Sequence, residues 1–109
     1  MAYDEGLAQR VREALTDRSD LSERKMFGGL CFMLGGNMCC GIVGEELMLR
    51  VGPDAYDRVV SLPHAREMDF TGRAMRGMLY VGTDGLSDDG QLSEWLTPAV
   101  KFAGSLPAK

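Results

Sequence analysis

Histidine, tryptophan and cysteine are scarce in this sequence of 109 residues, at one, one and three copies. The single imidazole, His64, and the thiols Cys31, Cys39 and Cys40 fall short of a structural zinc site, which takes four ligands with cysteines paired two to four residues apart. An odd number of thiols is also a poor basis for a disulfide framework. No run approaches the roughly 18 uncharged apolar residues of a membrane-spanning helix. The opening MAYDEGLAQR lacks the basic start and apolar segment of a secretory signal. These absences predict a cytoplasmic protein with no membrane partner. Positive charge is in deficit as well, with 12 Lys and Arg against 16 Asp and Glu, a net charge of −4. Domains that live on phosphate backbone are usually basic, so nucleic acid is not the favoured partner unless the cations gather on one face. The length suits one domain over 1–109 and not two, and no repeat, linker or low-complexity tract divides it.

What remains is a regular alternation of helical and strand patterns. Over residues 4–18 the apolar positions Leu7, Val11, Ala14 and Leu15 form one stripe opposite acids and arginines, which predicts an amphipathic helix. The polar residues 19–23 end it. An apolar run over 26–34 is closed by Gly35, Gly36 and Asn37, which tolerate the positive φ of a tight hairpin turn. Residues 38–43 pair back as a second strand, and Gly44, Glu45 and Glu46 lead into a third over 47–51. Gly52 and Pro53 open a short helix over 53–61, since proline suits the first helical turn, and it stops ahead of Pro63. Residues 66–70 and 75–81 read as a strand pair around the turn 71–74. Asp88 stands three residues before Gln91, a capping arrangement for a last helix carrying Leu92, Trp95, Leu96, Ala99 and Val100. Pro98 lies inside that pattern and predicts a kink, or a restart with Thr97 as the new cap. The order αβββαββα predicts an α+β domain, with helices packed on a five-stranded, mostly antiparallel sheet.

All three cysteines fall within 28–44, GGLCFMLGGNMCCGIVG. With Gly35 and Gly36 as a two-residue turn, Leu34 lies opposite Asn37 and Cys31 opposite Cys40. Alternation then places Cys31, Met33, Met38, Cys40 and Ile42 on one face, and Leu30, Phe32, Leu34, Cys39 and Val43 on the other. Cys39 and Cys40 point apart, so only Cys31 and Cys40 converge. Nothing local brings His64 to them as a base. The expected role of the thiols is core packing, with no catalytic residue, no metal and no cofactor. Seven of the eight methionines (26, 33, 38, 48, 68, 75 and 78) fall in or beside strands. Thioethers with a thiolate suit copper(I), but the plainer reading is adaptable filling of an irregular core.

Both faces of the hairpin are apolar. Met48, Met78 and Tyr80 continue that character on the face opposite Leu47, Leu49, Leu79 and Val81. A sheet with one wet face would alternate apolar and polar residues. Three helices can hardly cover both sides, so the sequence predicts an open apolar face that seeks a second copy or another protein. The cations Arg24, Lys25, Arg50, Arg73 and Arg76 sit in or beside the strands, and alternation puts Arg50 and Arg76 beside Met48, Met78 and Tyr80. These eight residues form the expected partner or anion contact, because arginine pairs bidentately and its stem covers apolar surface. The alternative is that the arginines pair within the domain with Asp69, Glu67 or Glu45. The glycines 28, 29, 35, 36 and 41 lie within or between strands and do not lead from a strand into a helix. They therefore make no phosphate cradle, and a bulge is expected at Gly28 and Gly29. Asp84, Asp88 and Asp89 lack the spacing of a calcium loop and are expected to cap a helix.

The segments RKMFGGLCFM (24–33), NMCCGI (37–42), LRVGPDAY (49–56), PHAREMDFTGRAMRGMLYVG (63–82) and FAGSLP (102–107) resemble the N-terminal domain of the TfoX/Sxy family. The likeness runs in order along nearly the whole chain. It implies a secretion-chaperone-like α+β fold, in agreement with the element order, and a regulatory role of the kind those proteins play in natural competence alongside the cyclic-AMP receptor protein. Full-length regulators carry a further C-terminal domain, so a stand-alone N-terminal domain is expected here. The functional expectation is a non-enzymatic regulatory or adaptor domain, working through protein contacts as a homodimer or with a transcription-regulatory protein. The alternative is a nucleic-acid-binding co-regulator using a local arginine patch.

Overall fold

The computed structural model describes residues 3–26, 28–70 and 73–108, and for 69, 70 and 73–76 the backbone only. Helix α1 spans Glu5–Ala14, strands β1 to β4 span Leu21–Met26, Gly29–Leu34, Asn37–Val43 and Glu46–Arg50, and α2 spans Pro53–Val60. Strands β5 and β6 follow at Ala65–Phe70 and Arg73–Val81, then a 3-10 turn at Thr83–Leu86 and α3 at Asp89–Ser105. The strands form one antiparallel sheet in the order β1-β2-β3-β4-β6-β5.

The sequence predicts five strands, and the structure has six. The addition is β1, LSERKM, whose residues are exposed or only half-buried along its length. An edge strand is bonded on one side and wet on both faces, so charges replace the alternation by which strands are recognised. The apolar run 26–34 accordingly divides. Met26 faces Gly29 across a hairpin, and Gly28 takes a φ of 74° in the turn where a bulge was expected. The next turn is as expected: Gly35 and Gly36 carry φ values of 58° and 82°, and Leu34 faces Asn37.

Local signals set the helices. Asp4 caps α1 by accepting from the Leu7 N–H at 3.1 Å, and Gly52 with Pro53 opens α2. Asp88 and Gln91 form a reciprocal capping box at α3, the Gln91 N–H donating to Asp88 Oδ1 at 2.8 Å. The expected restart at Thr97 does not occur, and α3 runs through Pro98 as one helix. Proline removes only the bond to the Glu94 carbonyl. Leu92, Leu96, Ala99 and Ala103, buried on either side of it, hold both halves of the helix to the sheet.

All three helices lie on one side. Leu7 and Val11 of α1, Tyr56 and Val59 of α2, and the buried row of α3 share one core with Phe32, Leu34, Ile42, Leu47, Leu49, Leu79 and Val81. The opposite face carries a second core of Cys31, Met33, Met38, Met48, Met68 and Met78, with no helical residue in it. The chain ends are tied in as well. The Asp4 N–H donates to the Gly44 carbonyl at 2.7 Å, and the buried amide of Asn37 donates to the Pro107 carbonyl at 2.9 Å.

Candidate functional site

The expected opposition of Cys31 and Cys40 does not occur. Met33 faces Met38 while Phe32 faces Cys40, so Cys39 is an extra residue in β3, and Cys31 comes opposite Gly41. Past this bulge the parity of β3 reverses. Cys40 and Ile42 turn to the helix side, and Val43 turns to the other. Hydrogen bonding with the Cys39 thiol, followed by burial, pushes the Cys40 thiol well above its ordinary range. Burial alone pushes Cys31 up to about 11. Both thiols are therefore protonated at neutral pH and are weak nucleophiles. Among the described residues, no group of three or more His, Cys, Asp or Glu side chains is placed to hold a metal ion.

One row crosses the whole sheet on the sulfur-bearing face: Arg24, Cys31, Gly41, Met48, Tyr80 and Arg66. At one end the Arg66 guanidinium lies 4.7 Å from the Tyr80 ring centroid and pairs with Glu46. At the other, Arg24 is exposed.

The eight residues expected to make a partner or anion contact are not brought together as one exposed patch. Arg24 and Lys25 are exposed on β1 and form no ion pair among the described residues. Arg50 curls away, its guanidinium 5.3 Å from the ring centroid of Phe102 on α3. Met48 is 0% exposed, Met78 is 8% exposed, and Tyr80 is half-buried. The side chains of Arg73 and Arg76 lie outside the described residues. The expectation of an open apolar face is thus overturned for the described residues, where the one large apolar side chain counted as exposed is Leu62. The buried members of this face all come from strands, and Met26, Val43 and Tyr80 pack against them. Unbranched thioethers suit such irregular filling.

A concavity that the sequence did not announce lies between α2 and α3. It is an open groove of about 760 Å³ with Pro53, Ala55 and Phe102 in its walls and Arg58, Glu94 and Lys101 among the polar groups lining it. Its walls come from segments some forty residues apart. The signal available was Gly52, where a Cβ would lie 2.3 Å from the Phe102 ring and which takes a φ of 83°.

No curated protein and no solved structure matches this chain. The model of the TfoX N-terminal domain matches residues 13–103, a stretch that takes in every strand, α2 and most of α3. The chain therefore belongs to the TfoX N-terminal domain family.

Proposed function

We propose that this domain is a non-enzymatic regulatory module that works through protein contacts, as a homodimer in which β1 pairs with β1 of a second copy. Membership of a family linked in general to competence regulation supports the regulatory part. The observation that carries the contact is one of the two edges of the sheet: β1 pairs on one side only, with β2, and presents Arg24 and Lys25 exposed. A free edge is a template for another strand, and charge on it ordinarily repels one. Here the charges are self-complementary. In an antiparallel pairing centred on Arg24, Glu23 of each copy, which also accepts from Arg12 of its own α1, faces Lys25 of the other on the helix side, and Ser22 faces Met26 on the sulfur-bearing side. The sole like-charge contact is Arg24 against Arg24 at the two-fold axis. The same edge is where a strand from a transcription-regulatory protein would dock. A nucleic-acid role is less well supported, because the described cations do not pool: Arg24 and Lys25 lie on β1, while Arg50 packs on α3.

Sedimentation of the purified protein over the micromolar range tests this reading. Each cross-strand ion pair contributes roughly 0.2–1 kcal/mol, so Lys25→Glu, which turns both pairs repulsive, weakens dimerisation by about tenfold. Arg24→Ser removes the central repulsion and tightens it. A chain that stays monomeric throughout, or a dimer indifferent to both substitutions, would overturn the proposal.

A further inference from the structure

Every buried member of the second core carries sulfur: Cys31 and Met33 from β2, Met38 from β3, Met48 from β4, Met68 from β5 and Met78 from β6. No local motif produces this grouping, because five strands each contribute to it. Two observations set it apart from simple filling. The first is convergence. Gly41 separates Cys31 from Met48 in the cross-sheet row, and the place its missing Cβ would occupy is 3.2 Å from the Cys31 sulfur and 2.8 Å from the Met48 methyl. The Cys31 sulfur and the end of the Met48 side chain therefore border the same strand position, which contributes no side chain. The second is the donor set. The buried side chains include no carboxylate, imidazole or amide, so the side-chain donors of this core are soft, and the Leu30 carbonyl oxygen lies beside the Gly41 position. Thiolate and thioether ligands select soft ions, and oxygen-seeking cations such as magnesium and calcium find no side-chain oxygen among the buried members.

We propose that this face binds one soft monovalent d10 cation, copper(I), through the Cys31 thiolate and the thioethers of Met48 and its neighbours. The step is a ligand exchange. A sulfur–copper bond forms at Cys31, the thiol proton passes to solvent, and the oxidation state of the metal does not change. Met33, Met38 and Met78 keep slight exposure, and an ion enters by passing between their thioethers. A cysteine thiol is protonated at neutral pH. Close to one proton is then released per ion bound, and affinity rises with pH.

Anaerobic titration of the full chain with copper(I) held by a chromophoric chelator tests the proposal. The expected result is transfer of one equivalent with release of about one proton. Cys31→Ala abolishes the transfer, and Met48→Leu, which keeps the volume of the site, weakens it by about tenfold or more. The double variant Cys39→Ala/Cys40→Ala leaves it unchanged. A chelator that keeps its copper, or copper that follows Cys39 and Cys40, would overturn the proposal. Should Cys31→Ala fail to fold, silver(I) added to the wild-type protein decides the matter. Movement of the Met48, Met68 and Met78 methyl resonances supports the site, and their failure to move refutes it.

Discussion

The two faces of this sheet are buried by different means. On one, Phe32, Ile42, Leu47, Leu49, Leu79 and Val81 interlock with three helices. On the other, a thiol and five thioethers from five strands are buried with no helical residue among them, and Met26, Val43 and Tyr80 pack against them. Branched and aromatic side chains are stiff and stand out from the strands, so they need a complementary layer above them. A methionine has an unbranched, rotatable stem that can lie along the sheet and shield its neighbours. A sheet that is apolar on both sides is therefore not by itself a sign of a missing partner, because the chemistry of the apolar residues decides whether a cover is required.

This contrast is exposed to measurement. The largest expected effect is on the helix side. Phe32→Ala lowers the unfolding free energy by about 3–5 kcal/mol through the cavity it leaves, whereas Met48→Leu costs less than about 1.5 kcal/mol. Urea midpoints for the two variants report the difference, and equal losses would erase the distinction. A smaller effect comes with alkali. The Cys31 thiol titrates near 9 when exposed and at about 11 in the fold. Its contribution is fully present below the lower value, and it is lost as pH rises through the window because the unfolded chain ionises first. Unfolding curves on either side of that window should show falling stability, and Cys31→Ala should lessen the fall. Cys40, on the helix face, is shifted in the same direction and adds to the fall.

The smallest effect concerns the rim of the helix side, where Arg12 of α1 holds Glu23 of β1 through hydrogen bonds of 2.6 and 2.8 Å. That bond keeps the Glu23 carboxyl below its usual pKa. The stabilisation is present above the ordinary carboxylate range and is lost as pH falls through the lowered value. Both side chains are substantially exposed, so a double-mutant cycle with Ala at each position should give less than about 1 kcal/mol, and less still in high salt. A larger coupling would mean that β1 depends on α1 for its place in the sheet.

Features set by neighbouring residues were legible in the sequence. The stripe of α1, the Gly52–Pro53 start of α2, the Gly35–Gly36 turn and the Asp88–Gln91 cap each follow from a few consecutive side chains. What escaped depends on distant partners. The strand β1 carries no alternation because an edge has no buried face to mark. The extra residue at Cys39 looks like any other strand residue, yet it reverses the facing of everything beyond it in β3. Pro98 violates helix propensity locally and is outweighed by the packing on both sides. The sulfur-bearing cluster was present as a list of methionines, but only the strand order shows that five of them share one core with Cys31.

The Asn37 amide and the Asp4 backbone make hydrogen bonds that reach beyond, or start outside, the stretch by which kinship is recognised. A fragment trimmed to 13–103 would discard nearly all of α1 together with its cap, and it would strip the hairpin amide of the Pro107 carbonyl, stranding a donor in the interior. The span that reveals kinship is thus narrower than the network of hydrogen bonds that the fold contains.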